Sequence, residues 1–154
     1  MNSNRNCRQI FATTIHELGH ASHWNLGKND YTFADDVLVE SWAHGVKWSI
    51  SRLEYPGYSI NYGRMNYSGI VQSMIDGISS KTSTKWWDSS KDEWGSPSIS
   101  KTYQDSVSGY TVRQIEDAID NQRKWNNWKD NIKNKYNNAT ENHLDAAFDY
   151  WNSK

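Results

Sequence analysis

Cys7 is the one cysteine in 154 residues, so no internal disulfide can staple the fold, and cysteine usage leaves the cellular compartment open. It reads as a small buried residue rather than a nucleophile. Proline occurs only at positions 56 and 97, which leaves long stretches free to run as helix. No apolar run approaches the ~20 residues that a membrane-spanning helix needs. The first 25 residues do not follow the charged-then-apolar layout of a secretory signal. The helix expected to carry the chemistry begins almost at residue 1, which reads as a mature or trimmed segment. Neither sign of charge dominates: 17 Lys and Arg face 18 Asp and Glu, for a net charge of -1. With the two signs mixed along the chain, nucleic acid and anionic membrane are poor partners.

Aromatic residues are plentiful, with nine Trp and nine Tyr. Large rings with a polar edge can build the core that the scarce Leu and Val do not. The length suits one compact unit and is too short for two independent domains.

Most of the chain reads with helical period, so a mainly α fold is expected. From about Asn6 to Leu26, the residues Phe11, Ile15, Leu18, Ser22 and Leu26 recur every three or four positions. They predict an amphipathic helix with that stripe toward the core and with His16, His20 and His23 on the other side. A second helix is predicted from about Phe33 to Leu53, with Leu38, Trp42, Val46 and Leu53 facing the core and Glu40, His44 and Lys47 opposite. Residues 55–67 read as a tyrosine-rich loop, and Ile70, Met74 and Ile78 as a short third helix.

Residues 1–78 thus form the expected active-site helices and 79–110 a long surface loop with one short element at most. Residues 111–154 form a C-terminal helical segment of the same unit. In that segment Thr111 and Gln114 make a capping box. Trp125, Trp128, Ile132 and Tyr136 mark a further helix, and Thr140 caps a last one bearing Leu144, Ala147, Phe148 and Trp151. Trp86, Trp87 and Trp94 have two readings, an exposed patch for a protein or glycan partner and local core beneath the loop.

The pattern that carries chemistry is His16-Glu17-Leu18-Gly19-His20. Imidazoles at i and i+4 stand one helical turn apart, so both can reach a single ion from the same face. Glu17 lies on the flank, where its carboxylate can take a proton from water without binding the metal. Solvated surface histidines are the alternative, although such a face more naturally shows Lys and Glu. A catalytic zinc takes three protein ligands and keeps one position open. Glu40 is the candidate for the third, on the second helix and opposite its apolar stripe. Asp35 and Asp36 compete, but they fall at the start of that helix and read as caps at its positive end.

His16-Glu17-x-x-His20 followed by Glu40 resembles the gluzincin, or thermolysin-like, zinc peptidases in ligand type and spacing, over about residues 10–50. The resemblance implies Zn2+, a polypeptide substrate, and an active site between two helices. It also implies a sheet-containing N-terminal region, which is missing from this chain. Leu26 and His23 occupy positions where the metzincin pattern needs histidine and glycine. In the resembled family an aspartate stands four residues after the glutamate ligand and supports a zinc histidine; here that position is His44, which can accept a hydrogen bond but brings no charge.

Tyr31 matches in position a tyrosine that donates to the developing oxyanion, with Tyr58, Tyr62 and Tyr67 in reserve; packing is the other role for each. His23 reads either as a cleft-lining contact or as an ordinary histidine of the helix face. The expected function is hydrolysis of peptide bonds with Glu17 as general base. The rivals are a zinc-stabilised helical module without activity, and a protein- or glycan-binding domain whose motif is vestigial. Family habit and an Asn-, Ser- and aromatic-rich composition point to an extracellular or bacterial cell-envelope location.

Overall fold

The computed structural model describes residues 3–59, 67–76, 79–88 and 93–152, with side chains described for 7–59, 67–76 and 103–152. These residues are mainly helical, as expected. Helices α1 (Ser3–Leu26), α2 (Lys28–Thr32), α3 (Asp36–Glu54) and α4 (Ile70–Asp76) precede an antiparallel hairpin of β1 (Ser79–Asp88) and β2 (Glu93–Asp105). Helices α5 (Val112–Ile119), α6 (Trp125–Lys135) and α7 (Leu144–Asn152) follow, with a 3-10 turn at Glu141–His143 leading into α7. The hairpin stands where the sequence reading places a long loop. Its strands are built of Ser, Thr and Lys with few apolar residues, so apolar alternation, the usual mark of a strand, is missing, although Thr and Trp favour extended backbone. Trp87 pairs with Trp94 in register. The side chains of Trp86, Trp87 and Trp94 lie outside the described residues, as does Ile78.

Helix α3 is the central element. Its Leu38, Trp42 and Val46 enter a core shared with Ile70, Val71 and Met74 of α4 and with Ile115, Trp128, Ile132, Phe148 and Trp151 of the C-terminal helices. Tryptophan does supply much of this core, and the indoles of Trp125, Trp128 and Trp151 each find an acceptor. Trp125 Nε1 donates to the Phe148 carbonyl at 3.1 Å, Trp128 Nε1 to the Ile115 carbonyl at 3.3 Å and Trp151 Nε1 to Ser73 Oγ at 3.3 Å. The helix stops at Glu54, with Tyr55 as its C-cap, because the residue before Pro56 is disfavoured in helical conformation.

The opposite face of α3 packs on α1, and here the expected orientation of α1 is corrected. Leu18 is 56% and Leu26 38% exposed, whereas Ala12, His16 and His23 are buried; on α3, Leu53 is 77% exposed instead of facing the core. The reason lies in what α3 offers on that side. Glu40 and His44 would lose hydration beneath an apolar stripe, and an unpartnered buried carboxylate costs more than the ~1.5–3 kcal/mol that burying a leucine returns. The histidine face of α1 supplies polar partners. Ser22, counted with the apolar stripe, accepts from Trp42 Nε1 at 3.2 Å and donates to the Gly19 carbonyl at 3.0 Å. Cys7 is exposed rather than buried.

Gly19 sets how closely α1 and α3 approach. A Cβ there would stand 2.8 Å from Ala43 Cα, a backbone atom that cannot turn aside. Overpacking of this kind costs about 1–3 kcal/mol, against about 1 kcal/mol gained from the better helix propensity of alanine. Gly19→Ala is therefore expected to lower stability in urea unfolding by about 1 kcal/mol. A variant at least as stable as the wild type would show that this contact does not set the spacing of α1 and α3.

Two caps also differ from expectation. Thr111 and Gln114 form the capping box, but Thr140 precedes the 3-10 turn and makes no cap bond; its hydroxyl bonds Ser108 instead. Asp35 is the N-cap of α3 by position, yet its carboxylate accepts from Trp125 N–H and Lys124 Nζ across the fold.

Candidate metal centre

Helix α1 presents His16 and His20 one turn apart, and α3 presents Glu40 to them. The two Nε2 atoms stand 3.1 Å apart. Glu40 Oε2 lies 3.4 Å from His16 Nε2, and Glu40 Oε1 lies 3.7 Å from His20 Nε2. Ligand atoms about 2.0–2.1 Å from one tetrahedral ion are roughly 3.3 Å from each other. The three side chains are therefore close enough to share one ion, and the group could hold a metal. Among the described residues no fourth His, Cys, Asp or Glu joins them. His16 is nearly enclosed, while the Glu40 side chain keeps 29% of its exposure, which gives solvent a way in.

The electrostatics suit a cation. Burial lowers the pKa of His20 and the charge of His16 lowers it further, outweighing the upward pull of Glu40 and Glu17; a neutral imidazole is the form that binds metal. Burial acts to raise the pKa of Glu40, but hydrogen bonding to His16, the charges of His20 and His16, and a hydrogen bond from Tyr67 bring it below the ordinary value. The carboxylate is thus ionised. The Nδ1 atoms of His16 and His20 have no hydrogen-bond partner among the described residues.

The other expected residues fall as follows. Glu17 is exposed on the flank of α1, near enough for its charge to act on His20 and Tyr31, and it is outside the metal-binding group. Tyr31 lies on the short α2 rather than in a loop, its ring centroid 6.2 Å from that of His20 and 5.1 Å from that of His23. Burial, then the charges of Glu40 and Glu17, raise its pKa, so the phenol keeps its proton and can donate. His44 is buried beside His16, with ring centroids 5.9 Å apart.

Tyr67, held in reserve on sequence, joins the site. It hydrogen-bonds Glu40 and stacks on His44 at 4.4 Å. Nothing in local spacing separates it from Tyr58, whose ring instead lies 5.1 Å from the Arg8 guanidinium. Tyr62 lies outside the described residues. Asp35 and Asp36 are not in the metal-binding group.

His23 is not an open cleft residue; it is 2% exposed and packed against Tyr31. Burial, then the charge of His20, push its pKa down to about 4, despite the opposing charge of Asp30. In the unfolded chain the ordinary value of 6.5 applies, so on acidification the unfolded state takes up its proton first. Stability from this group is complete above pH 6.5 and declines until about pH 4. At pH 5 the expected loss is about 2 kcal/mol. Urea unfolding at pH 7 and 5 should show His23→Gln with a correspondingly smaller loss than the wild type; equal losses would mean that His23 is not buried neutral.

No protein-family model matches this chain, and no curated protein or solved structure matches it either.

Proposed function

We propose that the chain is a metallopeptidase of the gluzincin type, hydrolysing peptide bonds with Zn2+ held by His16, His20 and Glu40. The observation that carries this reading is the convergence of both Nε2 atoms and the Glu40 carboxylate within 3.1–3.7 Å. Two imidazoles and one carboxylate with a vacant position is the donor set of a catalytic rather than a structural zinc. The ion, when bound, supplies Lewis acidity, which polarises a carbonyl and acidifies water.

The chain's own groups do the rest. Glu17 takes the proton of the attacking water on its carboxylate and delivers it to the leaving amine nitrogen. Tyr31, protonated and beside the ligand rings, donates its O–H to the oxygen on which charge develops. Tyr67 and His44 hold Glu40 and His16 in place, as outer partners of ligands do.

The test is paired: elemental analysis for one zinc per chain, and cleavage of unfolded casein that stops on chelation and returns with Zn2+. Exposure of Ile10 and Leu18 on the outer face of α1 favours a second reading, a zinc-stabilised module whose substrate-holding layer is elsewhere. Stoichiometric zinc with no cleavage would support it. Absence of both would leave the third reading, a protein- or glycan-binding domain.

A further inference from the structure

Tyr31 stands on a five-residue helix, a length that cannot maintain its own shape in water. Its position is instead determined from the far end of the chain. Arg123 Nε donates to Asp30 Oδ1 at 2.7 Å, and the guanidinium lies 5.5 Å from the centroid of the Phe33 ring. The Arg123 carbonyl accepts from Asp35 N–H at 2.8 Å. Lys124 Nζ and Trp125 N–H donate to the two Asp35 carboxylate oxygens at 2.8 and 3.1 Å. Residues 30 and 33 are thus engaged by Arg123, and residue 35 by Arg123, Lys124 and Trp125, so that Tyr31 lies between engaged positions.

The platform behind these bonds is stiff. Asn121 adopts φ 60, the left-handed region that asparagine tolerates better than other side chains. Gln122 N–H closes the turn on the Ile119 carbonyl at 3.0 Å. Trp125 is buried, and Asn131 Nδ2 ties α6 to the Ala118 carbonyl at 2.7 Å.

We propose that Arg123, Lys124 and Trp125 form a positioning clamp through which the C-terminal helical segment holds Tyr31 beside the ligand histidines. The role of the phenol in turnover rests on the metallopeptidase reading; its placement by the clamp does not. The metal ligands are set separately, by the packing of α1 on α3 at Gly19, so loosening the clamp separates the two functions.

The experiment compares Arg123→Gln with Tyr31→Leu by proton NMR of the His23 imidazole, at a pH well above the titration range of His23. Arg123 is 47% exposed, so Arg123→Gln should fold, which far-UV circular dichroism checks; Asp30→Asn breaks the same bond from the other side. Loss of the Tyr31 ring next to His23 moves the imidazole resonances, and both clamp variants are expected to move them in the same direction. Unmoved resonances in both clamp variants, or in Tyr31→Leu itself, overturn the proposal.

On a peptide substrate, Arg123→Gln is expected to lower kcat about tenfold to a hundredfold, with KM and zinc content unchanged. Combined with Tyr31→Phe it should lower kcat no further than Tyr31→Phe alone; additive losses overturn the clamp as a device acting through Tyr31. A wild-type chain that cleaves no peptide sinks the metallopeptidase reading, while the His23 resonances still decide the clamp.

Discussion

Glu17→Gln is expected to keep one zinc per chain and to lower kcat on a peptide substrate by about 10²–10⁴-fold, the range contributed by a positioned general base. Glutamine preserves the shape of the side chain but cannot take up a proton. Zinc is retained because Glu17 is outside the group formed by His16, His20 and Glu40. The residue is exposed on the flank of α1, where no core contact depends on it, so stability should change little. Elemental analysis and steady-state kinetics on the same preparation check both halves. Undiminished turnover would remove Glu17 from the mechanism, whereas loss of zinc would make it a ligand.

The second large effect is expected at Glu40. Zinc that binds the folded chain alone stabilises it by mass action, about 4 kcal/mol at a thousandfold excess over Kd. For a chain of this length that corresponds to a rise in Tm of roughly 10 °C. Glu40→Ala removes the carboxylate that bridges α3 to both histidines, and the rise should vanish. Without zinc the variant should unfold within about 1.5 kcal/mol of the wild type, the scale of one lost hydrogen bond. Thermal melts of both chains, with zinc and with a chelator, separate these contributions. A Glu40→Ala chain still stabilised as much by zinc would place the third ligand elsewhere.

The pairing of His16 with His20 was readable in the sequence because it is local: an i, i+4 spacing on any α-helix brings two side chains to one side. The capping box at Thr111 and the tryptophan-rich C-terminal helices were readable for the same reason, being set by neighbours a turn or so away. The choice of Glu40 over Asp35 and Asp36 was also legible, since its position opposite Leu38 and Trp42 follows from helical period. The face that α1 turns inward was not. Hydrophobicity favours Leu18 and Leu26, and the outcome depends on the demand of Glu40 and His44, on another helix, for polar partners.

Long-range placement accounts for the remaining surprises. Tyr67 rather than Tyr58 reaches Glu40, and the Asp35 carboxylate serves α6 instead of its own helix. The polar strands β1 and β2 pair with each other where local pattern suggests a loop. Residue type and spacing specified a histidine pair, a facing carboxylate and a helical chain, since each follows from the geometry of one helix. Which faces meet, which tyrosine closes on the site and what holds Tyr31 depend on contacts between residues up to 93 positions apart, and those are settled by mutual burial and hydrogen-bond satisfaction across the whole fold.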